Sequence, residues 1–260
     1  MNLLFSSMFL YEYSTDMIAR TCNLAEYDGV EFWIETPHFW IDRSPEKLDC
    51  FADLELAFHA PVLDLNPVSV NNELCEISLK ETLYTIALAS KKKAKLVTIH
   101  AGKRSAYREP VWADYLSLHK YLRIASKFSK LKGVNLCLEN SEQRINNLCK
   151  TAREIKEFVE LYDLSLTFDI KHSLDNAEEF YGLIERFRNV HVSNSDEDRR
   201  HVQASKSERV AKVLKDLSDL GYDGFITVEL DDLGIGNLDF GKKVEILKEE
   251  GNFIWKFFKK

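Results

Sequence analysis

Cysteine is scarce and badly spaced for cross-linking. Cys22, Cys50, Cys75, Cys137 and Cys149 make an odd set with no CxxC pair, which excludes a disulfide framework or a zinc ribbon and leads us to expect reduced thiols in the cytoplasm. Only 10 glycines and 5 prolines occur in 260 residues, too few for a collagen-like or linker-rich chain. No GxGxxG and no GxxxxGK[ST] is present, so the common phosphate-cradling loops have no support. Long apolar runs are missing too. The opening MNLLFSSMFLYEY lacks a basic start, is interrupted by Glu12 and is too short to span a bilayer, so neither a signal peptide nor a membrane anchor is expected. Positive charge is in the minority, 35 Lys plus Arg against 42 Asp plus Glu, giving −7; the overall footprint of a nucleic-acid binder is absent.

What is present is a rhythm. Eight short runs rich in β-branched and aromatic residues recur: Leu3–Phe5, Gly29–Ile34, Leu56–His59, Leu96–His100, Val134–Glu139, Leu164–Asp169, Val190–Val192 and Phe225–Glu229. Each reads as a buried strand. Helical stripes lie between them: Leu79, Leu83, Ile86, Ala87 and Ser90; Leu116, Tyr121, Leu122, Ala125 and Phe128; Ile155, Phe158, Val159 and Tyr162; Val210, Val213, Leu214 and Leu217. Strand and helix in alternation imply a parallel sheet covered by helices. Eight units of about 32 residues fit an α/β fold, a single (β/α)₈ TIM barrel formed by one domain over residues 1–260. The tail FIWKFFKK (253–260) is expected to be a closing helix that packs Phe253, Trp255 or Phe257 against the first strand, with contact in a homo-oligomer as the alternative.

The chemistry falls at strand ends. His59, His100 and His191 lie at or near the C-terminal ends of the third, fourth and seventh runs, and Glu139, Asp169 and Glu229 end the fifth, sixth and eighth. In a parallel barrel these ends open on one face, so the six residues would converge. Imidazoles and carboxylates without a thiol are ligands for Zn²⁺ or Mn²⁺. Burying several carboxylates together is costly unless a cation neutralises them. His38, in a Pro/Trp-rich loop, and His119, inside a helical pattern, are read as structural. Glu31 and Glu35 flank the second run, and Glu35 points either into the cleft or into a salt bridge. Lys103, Arg104 and Arg108, after the fourth run, offer positive charge to substrate oxygens or a phosphate, or else face solvent.

The ordered segments FHAP (58–61), VTIHAG (97–102), LCLENS (136–141), LTFDIKHS (166–173), VHVSNS (190–195) and ITVELDD (226–232) resemble the xylose isomerase-like TIM-barrel superfamily, which includes sugar-phosphate isomerases and epimerases and the endonuclease IV class of AP endonucleases. The resemblance implies one metal on His59, His100 and Glu139, and a second on Glu139, Asp169, His191 and Glu229. It implies a third site, for metal or substrate, from His172, His201 and Asp198, although D-R-R-H (198–201) is one residue longer than the Asp-x-His of the endonuclease class. One to three divalent ions, zinc or manganese, are thus the expected cofactor. By the same resemblance Glu139 and Glu229 are the acid/base pair of an isomerase or epimerase acting beside a carbonyl of a small sugar or sugar phosphate. An endonuclease IV-like phosphodiesterase, which alone would bring a nucleic-acid partner, is the alternative, and a non-catalytic binding barrel is the second. The Gly-rich run that follows the fifth-strand Glu in the endonuclease class is ENSEQRIN (139–146) here, which places the sugar chemistry first.

Overall fold

The computed structural model describes residues 1–231 and 238–258. Eight parallel strands close into a barrel: β1 (Asn2–Ser6), β2 (Gly29–Trp33), β3 (Glu55–His59), β4 (Leu96–His100), β5 (Asn135–Glu139), β6 (Ser165–Asp169), β7 (Phe187–Val192) and β8 (Phe225–Val228). Each strand pairs with its neighbour in sequence, and β8 completes the ring through Leu3↔Ile226 and Leu4↔Thr227. This is the TIM barrel expected from the alternation of runs and stripes. Asp232 at the end of ITVELDD, and Lys259 and Lys260 of the tail, lie outside the described residues.

The helical layer is less regular than the strands. It comprises α1 (Thr15–Ala25), α2 (Pro37–Trp40), α3 (Asn72–Lys92), α4 (Trp112–Lys132), α5 (Ala152–Tyr162), α6 (Glu208–Asp219) and α7 (Phe240–Ile254). After β2 the connection is the one-turn α2 and a 3₁₀ stretch, Pro45–Phe51; after β6 it is 3₁₀ throughout, Lys171–Ser173 and Ala177–Arg186. The α5 and α6 stripes bury Ile155, Phe158 and Val159, and Val210, Val213, Leu214 and Leu217, as expected. Two stripes differ. On α4, Leu116 is 58% exposed while Leu118 takes the inner position. On α3 the buried face is Ser78, Thr82, Thr85, Ile86, Leu88 and Ala89. Its hydroxyls donate one turn back, Ser78 Oγ to Leu74 O at 2.6 Å and Thr85 Oγ1 to Glu81 O at 2.9 Å. A hydroxyl satisfied within its own helix packs almost as an apolar group, which a search for apolar spacing overlooks.

Strand alternation sorts the side chains. Phe5, Phe32, Phe58, Ile99, Leu138, Phe168, Val190 and Ile226 belong to the apolar layer under the helices. Leu4, Ala57, Leu96 and Cys137, with Phe225 against them, form a separate apolar cluster, the floor of the barrel. Above it comes a polar tier in which Thr98 meets Thr167 at 3.0 Å and Thr227 donates to Asn189 at 2.9 Å. The next inward residues are those at the strand ends. At the closure, α7 buries Phe253 and Ile254, leaves Trp255 and Phe257 half-buried, and approaches β1 where Gly251 faces Leu3. No helix among the described residues is long and apolar enough to cross a membrane.

Gly29 sets the spacing of β2 and β3, because a Cβ there would lie 1.8 Å from Glu55 O, a backbone atom that cannot turn aside. Glycine→alanine at 29 should therefore cost about 3 kcal/mol or more, the upper end of overpacking penalties, lowering Tm by roughly 6–12 °C for a chain of this size. A thermal melt within 2 °C of wild type would show that the strand pair is not constrained as described.

Candidate functional site

Alternation carries the chemistry to one level of the lumen. His59, His100, Glu139 and Asp169 are the last residues of β3, β4, β5 and β6; His191 lies one residue before the end of β7, and Glu229 directly follows β8. Register pairs His100 with Glu139 and Asp169 with His191 on adjacent strands. Three groups result, each with ligand atoms within 4.8 Å of one another: His59, His100 and Glu139; Glu139, Asp169, His191 and Glu229; Asp169, His172 and His201. In the first, His100 Nε2 lies 3.0 Å from Glu139 Oε2 and 3.1 Å from His59 Nε2. In the second, His191 Nδ1 lies 3.0 Å from Glu229 Oε2, 3.7 Å from Glu139 Oε2 and 4.0 Å from Asp169 Oδ2.

The second group has a property that packing alone does not explain. Glu139 Oε2, Asp169 Oδ2, His191 Nδ1 and Glu229 Oε2 are all buried, and among the described residues none makes a hydrogen bond. Leaving even one buried polar atom unsatisfied costs about 1–3 kcal/mol. Two ligands held at about 2.1 Å by one ion stand roughly 3–4.2 Å apart, so these separations are those of a shared coordination sphere. The residues present fit a divalent cation. The chemistry of the set, one imidazole and three carboxylates, agrees.

Electrostatics follow from the crowding. Burial opposes a charge on His191, but the carboxylates of Glu229, Glu31 and Glu139 overcome it and hold the imidazole well above its ordinary pKa. Burial would likewise raise Glu139, yet His100 and His191 keep it well below the usual carboxylate range, and for Glu229 burial is outweighed chiefly by His191, which lowers it. Asp169 goes the other way. Its burial, with Glu229 and Glu139 beside it, lifts it to about 7. His201 is pushed down to about 3, first by burial and then by Lys171 and His172. Like charges forced together in a dry lumen share protons unless something positive replaces them.

The supports of the site were not apparent from the sequence. Glu31, read only as flanking its strand, is buried in the lumen and lies 2.7 Å from His191 Nε2, with Asn189 donating to the same oxygen at 2.8 Å. Burial would raise Glu31, but His191 lowers it, so it accepts as a carboxylate. With Nε2–H committed to Glu31, Nδ1 is the His191 atom that faces the three carboxylates, and once an ion displaces its proton its lone pair is the one aimed at the site, the arrangement that fixes the tautomer of a metal-ligating histidine. Asn140 clamps Asp169, accepting from its amide at 2.7 Å and donating to its carbonyl at 2.9 Å. His172 Nδ1 lies 2.8 Å from Asn140 O. Strand parity was the available signal for Glu31; nothing local marked Asn140.

Other expectations are corrected. Asp198 takes no part in the third group, since its exposed carboxylate pairs with Arg200 at 3.0 Å, and Asp169 stands in that place. The extra residue in D-R-R-H turns Asp198 outward. A cavity of about 990 Å³ opens over the barrel mouth, lined by His100, His172, His201 and Lys103 among others. Arg104 and Arg108 are not on its wall; Arg104 reaches Asp114 at 3.3 Å instead. Among the described residues Glu35 makes neither contact considered for it, and accepts from the amides of Val62 and Leu63 at 2.8 and 3.0 Å. His38 and His119 are structural, His38 beside the Thr15 amide and His119 beside Tyr162 Oη.

The chain belongs to the xylose isomerase-like TIM barrel family, whose model matches residues 19–252. It is 34% identical over 238 residues to the uncharacterized protein MJ1188 of Methanocaldococcus jannaschii, covering 87% of each. It is 24% identical to the fructoselysine 3-epimerase of Escherichia coli O157:H7, covering 78% of this chain and 81% of that one. A crystal structure of a D-tagatose 3-epimerase-like protein superposes with a TM-score of 0.77 at 25% identity, covering 98% of this chain and 99% of the other.

Two outcomes follow for cation binding. Glu31→Leu should weaken it about 10- to 100-fold, the usual cost of losing the partner of a ligating histidine, and Glu31→Gln should cost less because an acceptor remains. A chelator competition assay measures this, and unchanged affinity in a folded Glu31→Leu protein would contradict the tautomer argument. An ion at this point must displace the proton that the carboxylates hold on His191. Affinity should therefore rise with pH and binding should release protons, as calorimetry in buffers of different ionisation enthalpy would record; pH-independent binding would contradict it.

Proposed function

We propose that this chain is a divalent-metal-dependent isomerase or epimerase of a small sugar or sugar phosphate, a single domain over residues 1–260 that uses zinc or manganese. The observation that carries this reading is the set of four buried, unsatisfied ligand atoms, Glu139 Oε2, Asp169 Oδ2, His191 Nδ1 and Glu229 Oε2, beneath a cavity large enough for a small molecule. The epimerases among the similar proteins give it a substrate class. The five cysteines, all unpaired, fit the reducing cytoplasm.

A bound divalent cation would polarise a carbonyl and stabilise the negative charge that develops as a neighbouring carbon loses its proton. Glu139 and Glu229 are the acid/base pair. Both are held ionised by imidazoles, so either can take the proton as a base. Return of a proton by the same carboxylate to the former carbonyl carbon, with the neighbouring hydroxyl proton passing from one substrate oxygen to the other, moves the carbonyl. Return by the opposite carboxylate to the same carbon inverts it. His172, beside Glu139 Oε1 at 3.3 Å, and His201, beside Glu229 Oε2 at 3.5 Å, stand on the cavity wall where substrate hydroxyls would meet them.

A second reading, phosphodiester hydrolysis of the endonuclease IV kind, is favoured by one observation. The first and second groups share Glu139, a juxtaposition suited to two neighbouring ions and an in-line displacement. One experiment separates the two. The metal-loaded protein is incubated with a ketose panel in deuterated water and, in parallel, with an abasic-site duplex. We expect deuterium on the carbon next to the carbonyl, no strand incision, and an exchange rate about 10²–10⁴-fold lower in Glu139→Gln and Glu229→Gln. Incision without exchange would favour the nuclease. Neither activity would leave a binding barrel.

A further inference from the structure

The cavity wall holds more positive than negative charge, although the chain is acidic overall. Lys103, Arg144, Lys171, Arg199 and Arg200 line it, against Asp64, Glu142 and Asp231. Most of these cations are spoken for. Lys171 Nζ lies 2.7 Å from Glu142 Oε1, and Arg144 bonds the other oxygen of the same carboxylate. Arg200 pairs with Asp196 at 2.8 Å and with Asp198 at 3.0 Å. Lys103 and Arg199 are different: both are exposed, and among the described residues neither side chain has an ion-pair or hydrogen-bond partner.

Lys103 is also held on an unusually fixed backbone. Asn66 grips it from both sides, its Oδ1 accepting from Lys103 N at 3.2 Å and its Nδ2 donating to Lys103 O at 2.7 Å. Leu148 N donates to Gly102 O at 3.2 Å, Arg104 N donates to Asn146 O at 2.8 Å, and Lys103 bridges Asn147. Gly102 allows this grip: its φ is +85°, and a Cβ would lie 2.6 Å from Asn66 Oδ1. Arg199 sits at φ +61° in the tip joining Asn194–Ser195 to His201–Val202, a ribbon that also carries His201. Two cations lining one open cavity, Lys103 on a pinned backbone and Arg199 at a ribbon tip, with no carboxylate paired to either among the described residues, suit an anion that arrives from outside.

We propose that the substrate carries an anionic group, a phosphate or a carboxylate, at the end remote from the reacting carbon, and that Lys103 and Arg199, which line the same cavity, hold it. This deepens the isomerase or epimerase reading and rests on it for the sugar. The cavity of about 990 Å³ is at the top of the roughly 300–1,000 Å³ typical of ligand sites and leaves room for such an extension beyond the sugar. A net positive wall in a chain of net charge −7 would also steer an anion to this face.

The test is calorimetric and needs no turnover. The metal-loaded wild type, Lys103→Met, Arg199→Ala and, as a control, the off-cavity Arg108→Ala are titrated with fructose, fructose 6-phosphate and fructuronate. We expect at least one of the two anions to bind wild type and Arg108→Ala tenfold or more tighter than fructose. Lys103→Met and Arg199→Ala should each erase about 10- to 100-fold of that preference, the worth of a charge-assisted hydrogen bond, and leave fructose binding within twofold. Lys103→Arg should restore most of it, which a merely structural role would not allow. Which anion prevails identifies the group. Equal binding of all three sugars by wild type, or a preference that survives both substitutions, would overturn the subsite. If the anion preference holds but solvent deuterium never enters any sugar, the subsite stands and the catalytic reading falls.

Discussion

Three carboxylates and an imidazole, drawn together in a dry lumen with their inner atoms unsatisfied, are the constraint on which the upper half of this barrel depends. Glu139, Asp169, His191 and Glu229 come from four successive strands, so their convergence is a property of the closed ring and not of any local motif. Without a cation the cluster shares protons unevenly: Asp169 is raised to about 7 while Glu139 and Glu229 are lowered. Such an arrangement detracts from folding and persists because the surrounding structure over-determines it. The supports are visible: Glu31 and Asn189 beneath His191, Asn140 around Asp169, and the Thr98–Thr167 pair below. A cation bound there would stabilise the folded chain by mass action as well as serve chemistry.

The barrel places stability and reactivity at opposite ends of the same strands. Leu4, Ala57, Leu96 and Cys137 close the floor with apolar contact, and the polar tier separates that floor from the charged mouth. Loops then finish the site. The β4 loop, pinned to Asn66 and to the 146–148 segment, presents Lys103, and the short ribbon after β7 presents His201 and Arg199. The β4 loop is thus tied to its neighbours through its backbone, while the charged ends of Lys103 and Arg199 face solvent at the mouth.

Much of this was legible beforehand, and the reason is periodicity. Eight apolar runs separated by helical stripes specify a barrel because few other folds use that alternation. The six strand-end residues follow, since parallel strands in a ring share one face for their C-termini. What escaped reading depended on facts that no spacing carries. Glu31 lies in mid-strand, where a single carboxylate among apolar neighbours looks like an edge residue until His191 arrives from 160 positions away. Ser78, Thr82 and Thr85 on α3 satisfy their hydroxyls inside the helix or against Tyr121 and so bury a face that hydropathy marks as polar. Asp198 has the right residue type near the right position, but one inserted residue turns it to solvent and to Arg200. Arg104 likewise has the right charge in the right loop and is absorbed by Asp114.

Anomalous diffraction from crystals grown with manganese or zinc tests the central claim most directly. The account predicts a peak within about 2.0–2.3 Å of Glu139 Oε2, Asp169 Oδ2, His191 Nδ1 and Glu229 Oε2 at once. A map with no peak there under saturating metal, with those four atoms turned into hydrogen bonds among themselves, would contradict it.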